Sequence, residues 1–309
     1  MISIFMAFEG VYSIIPTAFT DSGDIDEASQ RRVVDLFIEK GANGLTALGV
    51  TGEVARLEEH ERAKVLEIVV KQAGGRVPIV AGTSADGTRT CISYTKQAKD
   101  IGAAAVMVSP PRMPKLNSNA VVSHFKALAD AVNLPIVVQD YPPITGFAME
   151  PALLARIAKE IPSARTIKLE DPPTPFKTAR ILEASAGTPV QIFGGLGGVF
   201  LLEELISGAT GAMTGFAFPE ILARIMTHWN AGERDAAADI FYRAVPLMRF
   251  EFQEGIGMAI RKDVLRRRGT LASAATRAPA GGLDAPTKQA LDRVLTWVTS
   301  QKGMEWISV

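Results

Sequence analysis

The sequence predicts a (β/α)8 TIM barrel with a C-terminal helical extension, on the basis of two observations. Eight short apolar segments recur at nearly even spacing, and a stretch with helical character follows each of them. Strands that alternate with helices form a parallel sheet, and eight such units close into a barrel. A doubly wound open sheet is disfavoured because no glycine-rich dinucleotide-binding fingerprint is present. The predicted strands cover residues 12–17, 44–48, 78–82, 104–109, 135–140, 165–169, 190–194 and 211–215.

Two local patterns mark the starts of these strands. Gly-Ala follows a helix and leads into an apolar run in "KGANGLTALG", "IGAAAVMVS" and "SGATGAMTG". Glycine there fits the left-handed position that ends a helix. Proline opens the strands in "VPIVAGT", "LPIVVQD" and "TPVQIFGG", where it costs no ladder hydrogen bond. Both patterns support strand assignments that hydrophobicity alone leaves ambiguous.

Amphipathic segments between the strands predict the helices. Residues 26–40 and 58–73 each carry one apolar stripe, and the segment from Pro151 to Pro162 has proline at a helix start and just past its end. From Pro219 onward the chain has no strand pattern and contains a Gly/Ala/Pro-rich loop near 269–286. We therefore divide one structural unit into a barrel, 1–218, and a helical extension packed on it, 219–309.

The composition excludes several classes of protein. The 309 residues are 47% hydrophobic and 21% charged, with no net charge, which gives no reason to expect nucleic acid or an anionic membrane as partner. One cysteine cannot form an internal disulfide, so a reducing compartment is expected. The opening "MISIFMAFEG" lacks the basic region of a signal peptide and predicts a lead into the first strand. Since no apolar run reaches the roughly 18 residues of a membrane helix, we expect a cytoplasmic protein.

The segment "RTIKLEDPP", residues 165–173, places a lysine in an apolar strand. Alternation puts Thr166, Lys168 and Glu170 on one face and Ile167 and Leu169 on the other. If the apolar pair faces the helices, Lys168 points into the barrel near its carboxyl end. One interpretation is a lysine that pairs with the acidic residues after it. The other is a buried neutral amine that attacks a ketone and forms a Schiff base.

A second motif is "GVTGE", residues 49–53, at the end of the second strand. The two glycines can form a tight strand-to-helix turn. Alternatively, successive backbone N–H groups, with the Thr51 hydroxyl, form a nest that binds a carboxylate. The motif alone does not decide between these interpretations.

Together these motifs resemble the dihydrodipicolinate synthase / N-acetylneuraminate lyase family of Schiff-base lyases. The resemblance runs through "GVYSIIPTAFTDSGDID", "GLTALGVTGEVARLEEHER", "LPIVVQDYPPITG" and the tail "AIRKDVLRRRG", and so covers almost the whole chain. It implies that Lys168 forms an imine with substrate without a further cofactor. It also implies that the amides of Val50 and Thr51, with the Thr51 hydroxyl, bind the carboxylate of a small 2-oxo acid. A homo-oligomer, as a dimer of dimers, is implied as well.

Three further residues are candidates for substrate binding because each lies at the end of a predicted strand. Gly52 belongs to the carboxylate-binding motif, and Thr214 ends the eighth strand. Gly195 lies in "GGLGG", which lacks the lysine and spacing of a phosphate-binding loop and is expected to leave room for substrate.

The chain departs from the resemblance at the positions that the synthases use for their second substrate. Gln139 falls where the family has a proton-shuttling tyrosine, and Val50 where the synthases have a relay threonine. Arg112 falls at or near the tyrosine that crosses the dimer interface, and Ile144 at the arginine that binds the second substrate. Imine formation is therefore expected, whereas the condensation with aspartate semialdehyde is not. Arg112 remains a candidate for binding a distal group of the substrate, and an ordinary surface-loop residue is the alternative.

Another residue must then carry protons, because the carboxamide of Gln139 does not titrate. Glu170 is the leading candidate, since it lies two residues past Lys168 on the same face. A capping or ion-pairing role for Glu170 is the structural alternative. Tyr141, two residues beyond Gln139, is the alternative acid or base.

The expected activity is that of a class I lyase acting on pyruvate or a 2-oxo-3-deoxy acid. Loss of a C3 proton and then of a hydroxyl would make the enzyme a dehydratase, whereas C3–C4 cleavage would make it an aldolase. A dihydrodipicolinate synthase is the first alternative, and a non-catalytic 2-oxo-acid sensor is the alternative of another class. No metal site is expected, because the histidines show no ligand spacing: His60, His124 and His228. The run "RKDVLRRRG" predicts a solvated helix face.

Overall fold

The computed structural model describes residues 8–309 and contains a closed barrel of eight parallel strands. Each strand pairs with its neighbours in chain order, and β8 pairs with β1. The predicted fold class is confirmed, while the prediction for the first seven residues lies outside the described part. The strands are β1 Gly10–Ile14, β2 Gly44–Ala47, β3 Ile79–Gly82, β4 Ala105–Val108, β5 Ile136–Asp140, β6 Thr166–Leu169, β7 Gln191–Gly194 and β8 Gly211–Thr214.

The first strand begins and ends earlier than the predicted range of 12–17. It starts at Gly10 and ends at Ile14, two residues before Pro16. Proline has no N–H to donate to a neighbouring strand, so it ends the pairing there.

The helices lie outside the barrel and follow the predicted order. Asp26 begins the first helix by accepting a hydrogen bond from the Ser29 N–H, and Pro151 is the first residue of the sixth. The helices are α1 Glu27–Glu39, α2 Glu59–Ala73, α3 Thr88–Ile101, α4 Ser118–Ala131, α5 Pro142–Thr145, α6 Pro151–Glu160, α7 Thr174–Ala184, α8 Leu201–Ile206, α9 Pro219–Asn230, α10 Arg234–Glu251, α11 Gly257–Arg267 and α12 Ala285–Thr299. Within residues 8–309, no helix combines the length and the apolar character needed to cross a membrane.

The C-terminal helices include both a barrel helix and the extension. α9 follows β8 and packs against β1, as expected of the helix that completes the outer ring, while α10 packs on α9 and α12 on α10. The loop 268–284 connects α11 to α12, close to the predicted 269–286. The division at residues 218 and 219 stays a prediction, and the packing of α9 favours keeping that helix with the barrel.

The strands separate two apolar layers. A large outer cluster between strands and helices includes Ile167 and Leu169 of β6. A smaller inner cluster fills the barrel and includes Tyr12, Phe193 and Met213. Lys168 lies between the two outward-facing residues of β6, so alternation directs it into the barrel, as the sequence pattern predicts.

Candidate active site

Lys168 lies inside the carboxyl end of the barrel. Its side chain is 2% exposed, and β6 places it between Gln139 of β5 and Phe193 of β7. The Nζ atom lies 2.9 Å from Oε2 of Glu170. The lysine is therefore both buried and paired with the carboxylate that follows it, and its role as the imine-forming amine stays a prediction. That carboxylate is also within proton-transfer distance of Nζ.

A chain of hydrogen bonds orients Glu170. Gln139 Nε2 donates to Glu170 Oε2 at 2.9 Å, and Ser109 Oγ donates to Gln139 Oε1 at 3.1 Å. Because the serine hydroxyl occupies the amide oxygen, the amide nitrogen faces the carboxylate. One oxygen of Glu170 thus contacts both Lys168 and Gln139. The sequence predicted that Glu170 faces Lys168 but gave Ser109 no role.

Gly195 makes room for Glu170. A Cβ atom at residue 195 would lie 2.8 Å from the carboxylate carbon of Glu170 and closer still to its Cγ. Carbon atoms in ordinary contact are about 3.5–4.0 Å apart. The space expected for substrate at this glycine is therefore filled by the side chain of Glu170, and direct substrate contact by Gly195 stays a prediction.

Replacing Gly195 with alanine is expected to reduce kcat about tenfold or more while the barrel stays folded, because the methyl group displaces Glu170 from Lys168. Steady-state kinetics and a thermal melt measure the two effects. Unchanged kcat in a folded Gly195→Ala variant would show that the position of Glu170 does not matter. Gly281→Ala is the matched control, since a Cβ at residue 281 meets no atom within 4 Å.

Lys177 of α7 forms ion pairs with carboxylates at the carboxyl ends of β5 and β6, the strands that carry Gln139 and Lys168. Its Nζ atom lies 2.6 Å from Asp140 Oδ2 at the end of β5 and 2.7 Å from Asp171 Oδ2 just after β6. Asp140 is fully buried, and this burial raises the pKa of its carboxyl group. The two aspartates thus have a positioning role, and they flank Gln139 and Glu170 in the chain.

Ion pairs hold the loop that contains the "GVTGE" motif. Val50–Gly52 form a short 3-10 turn, and Glu53 after it has a left-handed backbone, with φ of 59°. Such a conformation costs about 1–2 kcal/mol in a non-glycine residue. Glu53 is buried and pairs with Lys262 of α11 and, at 2.9 Å, with Arg56. These contacts stabilise the strained loop against the C-terminal helices.

The same loop presents donors that have no partner. The turn uses the N–H groups of Gly52 and Glu53, whereas those of Val50 and Thr51 contact no acceptor in the described part of the chain. The Thr51 hydroxyl oxygen is also buried without a hydrogen-bond partner. The Gly52 carbonyl accepts a hydrogen bond from Thr17 Oγ1 at 2.6 Å, and this bond holds the turn against the segment that follows β1. This arrangement matches an anion-binding nest.

Two further predicted site residues, Tyr141 and Thr214, differ in whether their side chains face the interior of the barrel. Tyr141 is half-buried at the barrel mouth, and burial, with the charges of Glu170 and Glu254, raises the pKa of its phenol, which favours a donor over a base. Thr214 follows the inward-facing Met213, so its side chain faces the helices.

Arg112 lies apart from the cluster. Arg112 lies on the loop after β4 with its side chain exposed, and its Nη2 atom is 3.5 Å from Oδ2 of Asp86. Within one chain, the structure does not bring Arg112 to Lys168.

Three buried charged residues escaped sequence reasoning: Arg261, Lys262 and Glu204. Arg261 and Lys262 belong to the run predicted to be a solvated helix face, and for these two residues that prediction is wrong because both are buried under the barrel mouth. Glu204 of α8 is also buried, and Thr174 Oγ1 donates to its Oε1 at 2.6 Å. Its other oxygen has no partner and fills the space beside Gly194. No sequence signal separates Glu204 from its neighbour Glu203.

Burial raises the pKa of Glu204 to about 8, so its carboxyl is protonated in the folded protein at neutral pH. The protonated form stabilises the fold below the ordinary pKa of 4.5, and this contribution is lost as the pH rises through about 8. We expect Glu204→Gln, which keeps an acceptor for Thr174, to raise the free energy of unfolding at pH 8 by about 3–5 kcal/mol relative to the wild type. The difference should shrink toward pH 5.

Urea unfolding at pH 5, 6.5 and 8 measures this effect, with the exposed Glu67→Gln as the control. A constant difference between Glu204→Gln and the wild type across these pH values would contradict a raised pKa.

Among residues 8–309 no cluster of histidine, cysteine, aspartate and glutamate side chains is placed to hold a metal ion. The groups that meet at the barrel mouth are instead a buried lysine, a carboxylate in contact with it and a loop of free N–H donors. An eight-stranded barrel with this combination of groups at its mouth is typical of a lyase.

Comparison with known proteins agrees with this class. The chain belongs to the dihydrodipicolinate synthetase family, whose model matches residues 7–298. Family members are class I lyases, so the prediction of such a lyase is confirmed.

Individual relatives fall into two activities. The chain is 32% identical to L-2-keto-3-deoxyarabonate dehydratase of Azospirillum brasilense, over 91% of this chain and 92% of the relative. It is also 32% identical to 4-hydroxy-tetrahydrodipicolinate synthase of Methanothrix thermoacetophila, over 96% and 99%. The crystal structure of dihydrodipicolinate synthase from Rhodopseudomonas palustris superimposes with a TM-score of 0.88 at 34% identity, covering 94% of this chain and 97% of that one.

Proposed function

We propose that this protein is a dehydratase of a 2-oxo-3-deoxy sugar acid and acts through an imine between Lys168 and the 2-oxo group. The observation that carries the proposal is the contact of Glu170 Oε2 with both Lys168 Nζ and Gln139 Nε2, each at 2.9 Å. A single carboxylate adjacent to the amine can serve every proton transfer of such a reaction. No cofactor beyond the lysine is required by this chemistry.

Imine formation uses the Lys168–Glu170 pair. Glu170 takes a proton from the ammonium group, and the neutral amine adds to C2 of the substrate. A proton moves from the nitrogen to the C2 oxygen, and protonated Glu170 then gives its proton to the resulting C2 hydroxyl, which leaves as water and yields the iminium. The carboxylate is restored for the next step. The free N–H groups of Val50 and Thr51 and the Thr51 hydroxyl hold the C1 carboxylate during these steps.

Elimination follows at C3 and C4. Glu170 removes a C3 proton, and the electron pair of that C–H bond forms an enamine with the iminium as electron sink. The enamine expels the C4 hydroxyl, which takes the proton from Glu170 and leaves as water. Tyr141 lies at the mouth of the barrel and stays protonated, so it can donate a hydrogen bond to substrate hydroxyls beyond C4. Hydrolysis of the imine then releases product and regenerates Lys168.

Three residues favour this reaction over the condensation of the synthases. Gln139, Val50 and Ile144 replace the groups that the synthases use to shuttle protons and to bind a second substrate. Gln139 instead orients Glu170. The similarity to L-2-keto-3-deoxyarabonate dehydratase points to the same class of substrate, although the synthases are equally similar in sequence.

Product analysis with a panel of 2-oxo-3-deoxy acids tests the proposal. A dehydratase yields a product with the full carbon chain and one water less, which mass spectrometry detects. An aldolase yields pyruvate, which a lactate-dehydrogenase assay detects, and a synthase consumes pyruvate only together with aspartate semialdehyde. Turnover in the last assay alone would overturn the proposal, and turnover in none of them would favour a non-catalytic 2-oxo-acid sensor.

We also propose a homo-oligomer arranged as a dimer of dimers. Family membership supports this arrangement, as does the exposure of Arg112 and Met113 on the loop after β4, which in the resemblance lies at the dimer interface. Sedimentation velocity measures the state directly. A monomer at micromolar concentration would contradict the proposal.

A further inference from the structure

A buried arginine of α11 reaches the mouth of the barrel. Arg261 is 4% exposed and lines a cavity of about 220 Å³ together with Thr51 and Tyr141. A guanidinium is costly to bury unless its donors are satisfied. The partners of the guanidinium nitrogens, Nε on one side and Nη1 on the other, therefore indicate what Arg261 does.

One side of the guanidinium is anchored. Arg261 Nε donates to Glu251 Oε1 at 2.7 Å, and the Ala217 N–H lies 3.1 Å from both oxygens of Glu251. Glu251 is fully buried at the end of α10. The carboxylate and the backbone after β8 thus fix the direction of the arginine.

The other side of the guanidinium has no partner. Arg261 Nη1 is buried without a hydrogen bond, and so is the Thr51 hydroxyl oxygen. Both residues line the cavity of about 220 Å³, and Gly215 makes room for the guanidinium, since a Cβ atom there would collide with Arg261 Nη1 and lie 2.9 Å from Thr51 Oγ1. Buried polar atoms in folded proteins nearly always have a partner. Two orphan donors that face one space indicate a ligand acceptor there.

The local charges favour an anion. Three cations, Arg56, Arg261 and Lys262, lie beside the loop that carries Thr51, and they pair with two carboxylates, Glu53 and Glu251, so these five groups carry one positive charge in excess. Glu254 is exposed at the rim of the cavity. The forked N–H groups of arginine match the two oxygens of a carboxylate.

We propose that Arg261 is a specificity-determining residue that binds the C1 carboxylate of the 2-oxo acid through Nη1, together with the Thr51 hydroxyl and the loop N–H groups. This inference rests on the proposed function, because it assigns the acid end of the substrate that Lys168 attacks. A salt link to this carboxylate selects 2-oxo acids over neutral ketones and aldehydes.

The test compares Arg261→Lys with the wild type in borohydride trapping of pyruvate and of methyl pyruvate, its uncharged ester. Lysine keeps the positive charge and can still pair with Glu251, but it lacks the second nitrogen that faces Thr51. We expect the half-saturating pyruvate concentration to rise about 10–100-fold, in line with the loss of a charged hydrogen bond. The half-saturating concentration of methyl pyruvate should change less than about twofold.

Two further variants keep the test decisive. Arg266→Lys, on the exposed side of the same helix, should change neither value. If Arg261→Lys does not fold, Gly215→Ala replaces it, because its methyl group displaces Nη1 of Arg261 and should weaken the binding of pyruvate selectively.

The outcomes separate this inference from the proposed function. An equal loss for both ligands, or no loss for pyruvate, would overturn the role of Arg261 and leave imine formation intact. Failure of the wild type to trap either ligand would overturn the proposed function itself.

Discussion

Replacing Lys168 with methionine is expected to lower kcat for the 2-oxo-3-deoxy acid by at least about 10⁴-fold, because the variant cannot form the imine. Methionine has a similar length and no charge, so it suits a position that is 2% exposed. Glu170 keeps its hydrogen bond from Gln139 in this variant, so the fold should survive. Steady-state kinetics and circular dichroism measure the two quantities.

The control for this experiment is Lys126→Met on the exposed face of α4, which should keep full activity. Substantial turnover by folded Lys168→Met would show that the reaction does not pass through an imine at this residue.

Replacing Glu170 with glutamine is expected to lower kcat by about 10²–10⁴-fold, the usual contribution of a general acid or base. Glutamine has nearly the same shape, and it can still accept from Gln139 and fit beside Gly195. It cannot take a proton from C3. Imine formation should slow but reach completion, because bulk water can exchange the amine proton over a longer time.

Exchange of the C3 protons of pyruvate in D2O isolates this step. We expect the wild type to incorporate deuterium and Glu170→Gln to lose this exchange while it still traps pyruvate with borohydride. Glu183→Gln, an exposed carboxylate of α7 that pairs with Arg180, is the control. Normal exchange by Glu170→Gln would transfer the role of base to another group.

The fold and the placement of Lys168 could be predicted because they depend on short-range pattern. Alternation in β6 fixes which face carries Lys168, and the apolar neighbours Ile167 and Leu169 fix that face as the inner one. The donors of the loop at Thr51 were one of two interpretations of the "GVTGE" motif, and the family resemblance favoured them. In each case the information lies within a few residues of the chain.

Arg261 and Glu204 could not be predicted because their surroundings come from distant parts of the chain. Arg261 lies in a basic run that resembles a solvated face, and only the packing of α11 over the loop at Thr51 buries it. Glu204 follows another glutamate in a short helix, and only the glycine at residue 194 opens the space that holds its carboxyl group. A charge pattern does not show which charges the tertiary structure will enclose.

Gln139, which the resemblance aligns with a tyrosine of the synthases, contacts Glu170 in this structure. The amide of Gln139 directs a donor at the same carboxylate oxygen that faces Lys168. A tyrosine at residue 139 would present a hydroxyl in place of this amide. We infer that the exchange of tyrosine for glutamine and the use of Glu170 as the base belong together, because the amide cannot carry protons but can hold the group that does.

The most direct test of this account is the site of reductive trapping. The protein is incubated with pyruvate and borohydride and digested with trypsin, which cuts after Arg165, Lys168 and Lys177 in the unmodified chain. Borohydride reduces an imine at Lys168 to a secondary amine that blocks cleavage there, so we expect a labelled peptide that spans residues 166–177, with the label on Lys168 in its fragment spectrum. An unlabelled protein, or a label on another lysine such as Lys177 or Lys262, would contradict the account.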